Sequence, residues 1–189
     1  MKNIVIFASG SGTNAENIIL YFKNKNNAKV VAVFSNNQTA AIIDKANNLK
    51  VPTIVFSREQ LKSEVFLQKI KGFRPDLIVL AGFLWQFPES IILSYKDKII
   101  NIHPSLLPKY GGKGMYGMNV HKAVLENKEA ETGITIHYVN ENYDEGKIIF
   151  QKSVAVDKCK TPEEIAAKIH ELEMDNFPHV IDQLLTSNL

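Results

Sequence analysis

The sequence predicts an α/β architecture of three layers: helices on both faces of a mostly parallel sheet, with antiparallel strands in the C-terminal half. Three observations predict it. Short apolar runs alternate with stretches of helical spacing from residue 4 to residue 81. Glycine and proline punctuate the ends of those runs, as at Ser9-Gly10, Pro75-Asp76 and Gly82. After residue 130, two β-rich runs follow one another with only a polar stretch between them.

Residues 4–8 form an apolar run closed by Ser9-Gly10, the mark of a buried strand. Residues 15–22 are apolar at helical spacing. Residues 30–34 give a second buried strand, 40–49 a helix and 51–56 a third strand. A single helix is expected over 58–71, with Leu61, Val65, Leu67 and Ile70 as its apolar stripe. Residues 77–81 form a fourth strand, introduced by Pro75-Asp76 and stopped by Gly82. This alternation implies parallel strands joined by right-handed crossovers, a Rossmann-like arrangement. A short helix over 89–95 then leads to a strand over 98–102. The glycine-rich stretch 110–117 reads as a loop, and 120–126 as a helix. The runs 132–139 and 147–156 pair as antiparallel strands, which makes the sheet mixed. Thr161-Pro162-Glu163-Glu164 carries a capping box with proline at the first helical position, so a long helix starts there. Pro178 is expected to kink or interrupt it.

With 189 residues, the chain is long enough for a proper core, and we expect a single domain over 1–189. The formal charge of +2 is too small to argue for nucleic acid or membrane. Arg58 and Arg74 are the only arginines, which disfavours a surface of bidentate phosphate contacts. One cysteine, Cys159, allows no internal disulfide and fits a reducing compartment. The run 4–8 is too short for a signal peptide, and no stretch suffices to span a bilayer. The expectation is a cytoplasmic protein that binds neither nucleic acid nor membrane. Histidine spacing shows no ligand pattern and cysteines do not cluster, so no metal is expected. Oligomeric state is not legible.

Two motifs carry chemistry. Ser9-Gly10-Ser11-Gly12-Thr13-Asn14 lies between the first strand and the first helix. Its glycines let backbone N–H groups approach an anion, and the helix N-terminus adds a favourable dipole. There is no Lys-Ser/Thr ending, as a nucleotide P-loop requires. The second strand ends Phe34-Ser35-Asn36-Asn37, without the acidic residue that holds an adenine ribose. A phosphomonoester fits better than a dinucleotide; a plain connecting turn is the competing reading. The second motif is Asn101-Ile102-His103-Pro104-Ser105-Leu106-Leu107-Pro108. Residues two apart in an extended segment share a face, and Pro104 biases His103 toward extension. A reaction that passes through an oxyanion while moving a proton needs such a pair of donor and titratable group. From the residues alone, Asn101 satisfying a strand end and His103 sitting in a turn is equally open.

These motifs, with Leu80-Ala81-Gly82-Phe83, with His137-Tyr138-Val139 followed by Asp144 and Gly146, and with the helix holding Glu173, resemble the phosphoribosylglycinamide formyltransferase family end to end. Members are also called glycinamide ribonucleotide transformylases and are folate-dependent formyltransferases. The resemblance implies formyl transfer from 10-formyltetrahydrofolate, as co-substrate, to the amine of 5-phosphoribosylglycinamide. It implies a phosphate-binding half over 1–100 and a catalytic, folate-facing half over 101–189. Gly12, Thr13 and Asn14 would bind phosphate and Glu173 the ribose. Leu84, Trp85, Gln86 and Phe87 would line the pterin slot beside Asn101, facing the stretch 140–144. Arg58 would meet the folate tail. Asn101, His103 and Asp144 would form the catalytic set, with Asp144 raising the pKa of His103 and orienting it.

Bland readings stand beside several of these. Asp144 lies in a polar loop, where an exposed turn aspartate is the default. Phe83, Trp85 and Phe87 also fit a plain core. His137 is either a core histidine or a support of the site, and His121, His170 and His179 read as structural or exposed. The chain departs from better-known bacterial members, which have Met-Arg-Ile-Leu where this one has Leu84-Trp85-Gln86-Phe87. Its loop 110–117 is longer, and its glycines suggest a gate over the ribonucleotide. The rivals are another formyltetrahydrofolate-dependent enzyme or a non-catalytic phosphate-binding module. A methionyl-tRNA formyltransferase is expected to extend further at the C-terminus, and a formyltetrahydrofolate hydrolase to carry a domain ahead of the glycine loop.

Overall fold

The computed structural model describes residues 1–187. In chain order it holds β1 (Lys2–Phe7), α1 (Thr13–Lys23), β2 (Ala28–Ser35), α2 (Ala41–Asn48), β3 (Thr53–Val55), α3 (Arg58–Leu61) and α4 (Glu64–Gly72). There follow β4 (Leu77–Leu80), α5 (Glu89–Ser94), β5 (Ile99–His103), α6 (Met118–Glu126), β6 (Glu131–Tyr138), β7 (Ile148–Ala155) and α7 (Pro162–Thr186). One seven-stranded sheet runs in the order β3-β2-β1-β4-β5-β6-β7. Pairs from β3 to β5 are parallel, and β5–β6 and β6–β7 are antiparallel; the β6–β7 pair and the mixed sheet are as the sequence predicts.

Each face of the sheet has its own core. On one, Ile4, Ile6, Val79 and Ile100 pack against Ile18, Phe22, Ile42, Val120 and Ile169 from α1, α2, α6 and α7. On the other, Val5, Phe7, Phe34 and Ile78 meet Phe66, Ile70 and Ile91 from α4 and α5. That second core is aromatic: the rings of Phe7 and Phe34 stack at 4.9 Å, and Phe87 meets Phe7 edge-on at 4.9 Å. None of the described helices is long and apolar enough to cross a membrane.

Three local expectations need correction. The helix expected over 58–71 is two helices. Ser57 caps α3 with a reciprocal Gln60 box, and Ser63 caps α4 by accepting from Phe66 N–H at 3.2 Å. The second cap rotates the stripe, so Val65, counted as apolar core, is 79% exposed. In the box that opens α7, Thr161 accepts from Glu164 N–H, but the Glu164 carboxylate takes the N–H of Lys160 rather than that of Thr161. Finally, of the kink or interruption expected at Pro178, the interruption does not occur: α7 runs on to Thr186. A proline withholds a hydrogen bond from the carbonyl four residues earlier, here Met174. Asn17 on α1 supplies the missing donor, its Nδ2 reaching Met174 O at 2.8 Å.

Candidate active site

Between β1 and β4 the sheet reverses its direction of growth, with β2 and β3 on one side and β5 on the other. Loops leaving the strand ends at such a point diverge and open a crevice. Here the loops after β1 and β4 are tied together at its floor. Ser9 N–H donates to Gly82 O at 3.1 Å, and Ser9 Oγ accepts from Leu84 N–H at 3.1 Å. The resulting cleft holds about 800 Å³, within the range of small-ligand sites.

One wall is the start of α1. Gly12 sits there with φ of 67°, and a Cβ would collide with Ile42, so both backbone and space demand glycine. No side chain caps this helix, which leaves its first N–H groups free for an anion. Beside it, Asn14 Nδ2 donates to Glu173 Oε2 at 2.8 Å. Burial pushes the Glu173 carboxyl up to about 7, against a partial pull down from Asn14.

The facing wall is the end of β5. Asn101 and His103 share a face two residues apart, and the β5–β6 register sets His137 directly opposite Asn101. Asn101 Nδ2 lies 3.2 Å from His137 Nε2. His103 is 4% exposed, and its Nε2 stands 2.7 Å from Tyr110 O. A carbonyl only accepts, so Nε2 carries the hydrogen and Nδ1 is the nitrogen that exchanges a proton. Asp144 approaches that nitrogen, Oδ2 to Nδ1, at 3.5 Å, and reaches toward His137 Nε2 with Oδ1 at 3.6 Å. Its carboxylate also accepts from Gly112 N–H at 3.0 Å. Burial pushes its pKa up, but the polar groups around it, the His103 ring and the Gly112 amide among them, outweigh burial and hold it below the usual range. Burial depresses the His103 pKa, and Asp144 and the Tyr110 carbonyl recover only part of that, so the net direction is down. The sequence reading expected Asp144 to raise it; the carboxylate does pull that way, and desolvation is larger.

Gly12, Thr13, Asn14, Leu84, Trp85, Gln86, Phe87, Asn101, His103, Asp144 and Glu173 all line this one cleft. Phe87 is also core, 4% exposed, as is Phe83 at 8%, so the plain-core reading holds for both as well. Arg58 lies outside the lining, exposed, with its guanidinium 4.8 Å over the Trp85 ring. The sequence reading took His121 and His170 as structural or exposed; His121 is buried and His170 exposed, and both also line the cleft. His170 stands three residues before Glu173 on α7, a spacing that marks a shared helix face. His121 is 6% exposed with an unpartnered Nδ1, and nothing in the sequence separates it from a core histidine. Lys113 brings the loop 110–117 to the same wall. Among the described residues, no three His, Cys, Asp or Glu side chains gather as metal ligands.

Residues 2–181 match the family model described as formyl transferase. The chloroplastic phosphoribosylglycinamide formyltransferase of Arabidopsis thaliana is 36% identical over 187 residues, 95% of this chain and 64% of that one. The Vigna unguiculata protein of the same name is likewise longer, with 61% of its length covered. The chain thus spans less than two thirds of these plant relatives. The phosphoribosylglycinamide formyltransferase of Bacillus subtilis is 34% identical, with 100% of this chain and 97% of that one covered. Among solved structures, the phosphoribosylglycinamide formyltransferase of Anaplasma phagocytophilum superposes with a TM-score of 0.89 at 31% identity, covering 98% of this chain and 88% of that one.

Proposed function

The chain belongs to the formyl transferase family, and from that premise we propose that it transfers the formyl group of 10-formyltetrahydrofolate to the amine of 5-phosphoribosylglycinamide, a step of de novo purine synthesis. The observation that carries the reading is the pairing of Asn101 and His103 on β5 across one cleft from the glycine-capped start of α1. A phosphate belongs at the free N–H groups of Gly12, Thr13 and Asn14, with the ribose toward Glu173. The flat heterocycle belongs against Leu84, Trp85, Gln86 and Phe87, with Asn101 at its reacting end. Arg58 would meet the anionic tail of the folate; its stacking on Trp85, a residue of the cleft, supports that reading. The cysteine count supports a reducing compartment, the cytoplasm.

The substrate brings its own nucleophile, an amine, so the chain has to supply only charge stabilisation and a proton path. Attack on the formyl carbon forms a C–N bond and leaves an oxyanion and an ammonium. Asn101 donates to the oxyanion. His103 starts neutral, because burial holds its pKa down, and its Nδ1 takes the ammonium proton directly or through a water. The imidazolium so formed faces the Asp144 carboxylate at 3.5 Å, which stabilises it. As the bond from the formyl carbon to N10 breaks, His103 returns the proton to N10. One proton has moved from amine to folate, and His103 ends neutral.

The test is a spectrophotometric assay of deformylated folate with each substrate omitted in turn. Turnover that requires both substrates is the expected result. Folate release without the ribonucleotide makes the protein a hydrolase and overturns the reading. No turnover with folded protein overturns it as well.

A further inference from the structure

His137 lies outside the proton path just described, yet both of its ring nitrogens are held. It is 2% exposed. Its Nδ1 stands 2.8 Å from Tyr138 O, a carbonyl that only accepts, so Nδ1 carries a hydrogen and donates it. In the neutral ring, Nε2 is therefore a bare acceptor. Two groups approach that nitrogen. Asn101 Nδ2 is within hydrogen-bond range at 3.2 Å, and Asp144 Oδ1, an acceptor itself, stays outside at 3.6 Å. The other titratable groups here are His103, whose Nδ1 lies 3.5 Å from the second oxygen of the same carboxylate, and His121, close enough to His103 to feel its charge.

A side-chain amide has two faces, and an asparagine at a strand end can turn either toward a reacting group. Were Asn101 reversed, its oxygen would meet the Nε2 lone pair, acceptor against acceptor, in a buried pocket. Only a doubly protonated ring would take the reversed amide. We propose that His137 is a positioning residue that holds Asn101 with its nitrogen toward the imidazole, so that the second amide proton is the one donor this side chain offers the cleft. The proposal rests on the formyl-transfer reading for its kinetic consequence only; the tautomer and the contact stand on geometry.

The backbone beside the ring is tightly set. His137 pairs with Ile148 and Ile136 with Phe150, which leaves Ile149 of β7 as the extra residue of a bulge opposite the ring. Gly146 lies hard against the Tyr138 carbonyl, where a Cβ would collide with that oxygen and come within 3.4 Å of His137 Nδ1. The acceptor that fixes the tautomer is thus itself clamped.

Two measurements test the proposal. Nitrogen NMR of imidazole-labelled wild-type protein at neutral pH should show His137 with Nδ1 protonated and Nε2 bare. The opposite tautomer or an imidazolium overturns it, whatever the enzyme turns over. A double-mutant cycle then reads the coupling. His137→Leu removes the acceptor and should lower kcat about 100-fold, approaching the loss of an oxyanion donor, with the KM for the ribonucleotide unchanged. Asn101→Ala combined with it should cost little more than Asn101→Ala alone. His137→Gln, whose side-chain oxygen can accept from Asn101, should recover most of the rate. Additive losses, or a glutamine variant no better than leucine, overturn the assignment. Should the leucine variant not fold, the wild-type spectrum and the glutamine variant still decide. A wild-type protein inactive on both substrates sinks the formyl-transfer reading and leaves the nitrogen spectrum to judge this one.

Discussion

Asp144 stands between two imidazoles, 3.5 Å from one and 3.6 Å from the other, and its one short bond is to the amide of Gly112 at 3.0 Å. It therefore acts on His103 more through its charge than through a hydrogen bond in the resting state, and the balance at His103 is one of burial against that charge. The direction of a pH effect follows. On the proposed proton path His103 acts as a neutral base, so kcat/KM should fall on the acid side as the ring protonates, below its ordinary value of 6.5 because the net shift is downward. Asp144→Asn removes the pull upward, so the acid limb should move to still lower pH while kcat drops by at least about 100-fold. A pH profile of the variant in which the limb moves up, or stays, contradicts this balance. Glu173 gives a second residue-scale expectation, in stability. Its carboxyl is raised from 4.5 to about 7 in the folded chain, so the folded state holds a proton that the unfolded state has released. Stability should then decline as pH rises from about 4.5 through about 7, and Glu173→Gln should flatten that slope. Urea midpoints of both proteins at pH 5 and pH 8 read it; parallel slopes would count against a buried neutral carboxyl.

At the scale of elements, single polar side chains decide what apolar periodicity leaves open. The alternation of strand and helix, the mixed sheet and most element bounds were legible, because buried strands and amphipathic helices leave periods of two and 3.6 in the residues. The stretch 58–71 was not, because Leu61, Leu67 and Ile70 suit one helix or two, and only the Ser63 cap tells them apart. The passage of α7 through Pro178 depends on a partner 157 positions away, Asn17, whose amide takes the Met174 carbonyl that the proline strands. No local reading of α7 contains that contact. It predicts that Asn17→Ala costs about 1–2 kcal/mol, the price of leaving a part-buried carbonyl unmet, which urea unfolding measures. Asn17→Ala in a Pro178→Ala background should cost less, since the backbone N–H of the new residue then meets Met174. Equal costs in the two backgrounds would mean that Asn17 matters for some other contact.

The whole molecule gathers the cleft from segments far apart in the chain. The phosphate wall comes from the first crossover and from α7, the reacting wall from β5 and β6, and the loop 110–117 closes between them. Asn101, His103, Gly12 and Asn14 were legible because their motifs are local. His137 stayed open because its meaning lies in the β5–β6 register, and the grip of the loop on the site was invisible because it runs through backbone atoms. Tyr110 offers its carbonyl to His103, and Gly112 its amide to Asp144, so both groups of the proposed proton path touch this one segment. Lys113, Gly114, Met115 and Tyr116 continue along the cleft, and Gly112 and Gly114 take φ values of 92° and 89°, open to glycine and strained for other residues. A ligand that fills the cleft from α1 to β5 has these residues along its lining. Ribonucleotide binding should therefore slow hydrogen exchange at the amides of 112–117 while amides of β1 and β4, already buried, hold steady. Removing two residues from 113–116 should raise the ribonucleotide KM and lower kcat together, because the same segment meets the ligand and sets the proton path. Exchange that is identical with and without ligand, joined to normal turnover of the shortened chain, would reduce the loop to a connection. Slowed exchange with a loss confined to KM would leave it a wall of the binding site and free His103 and Asp144 from its control.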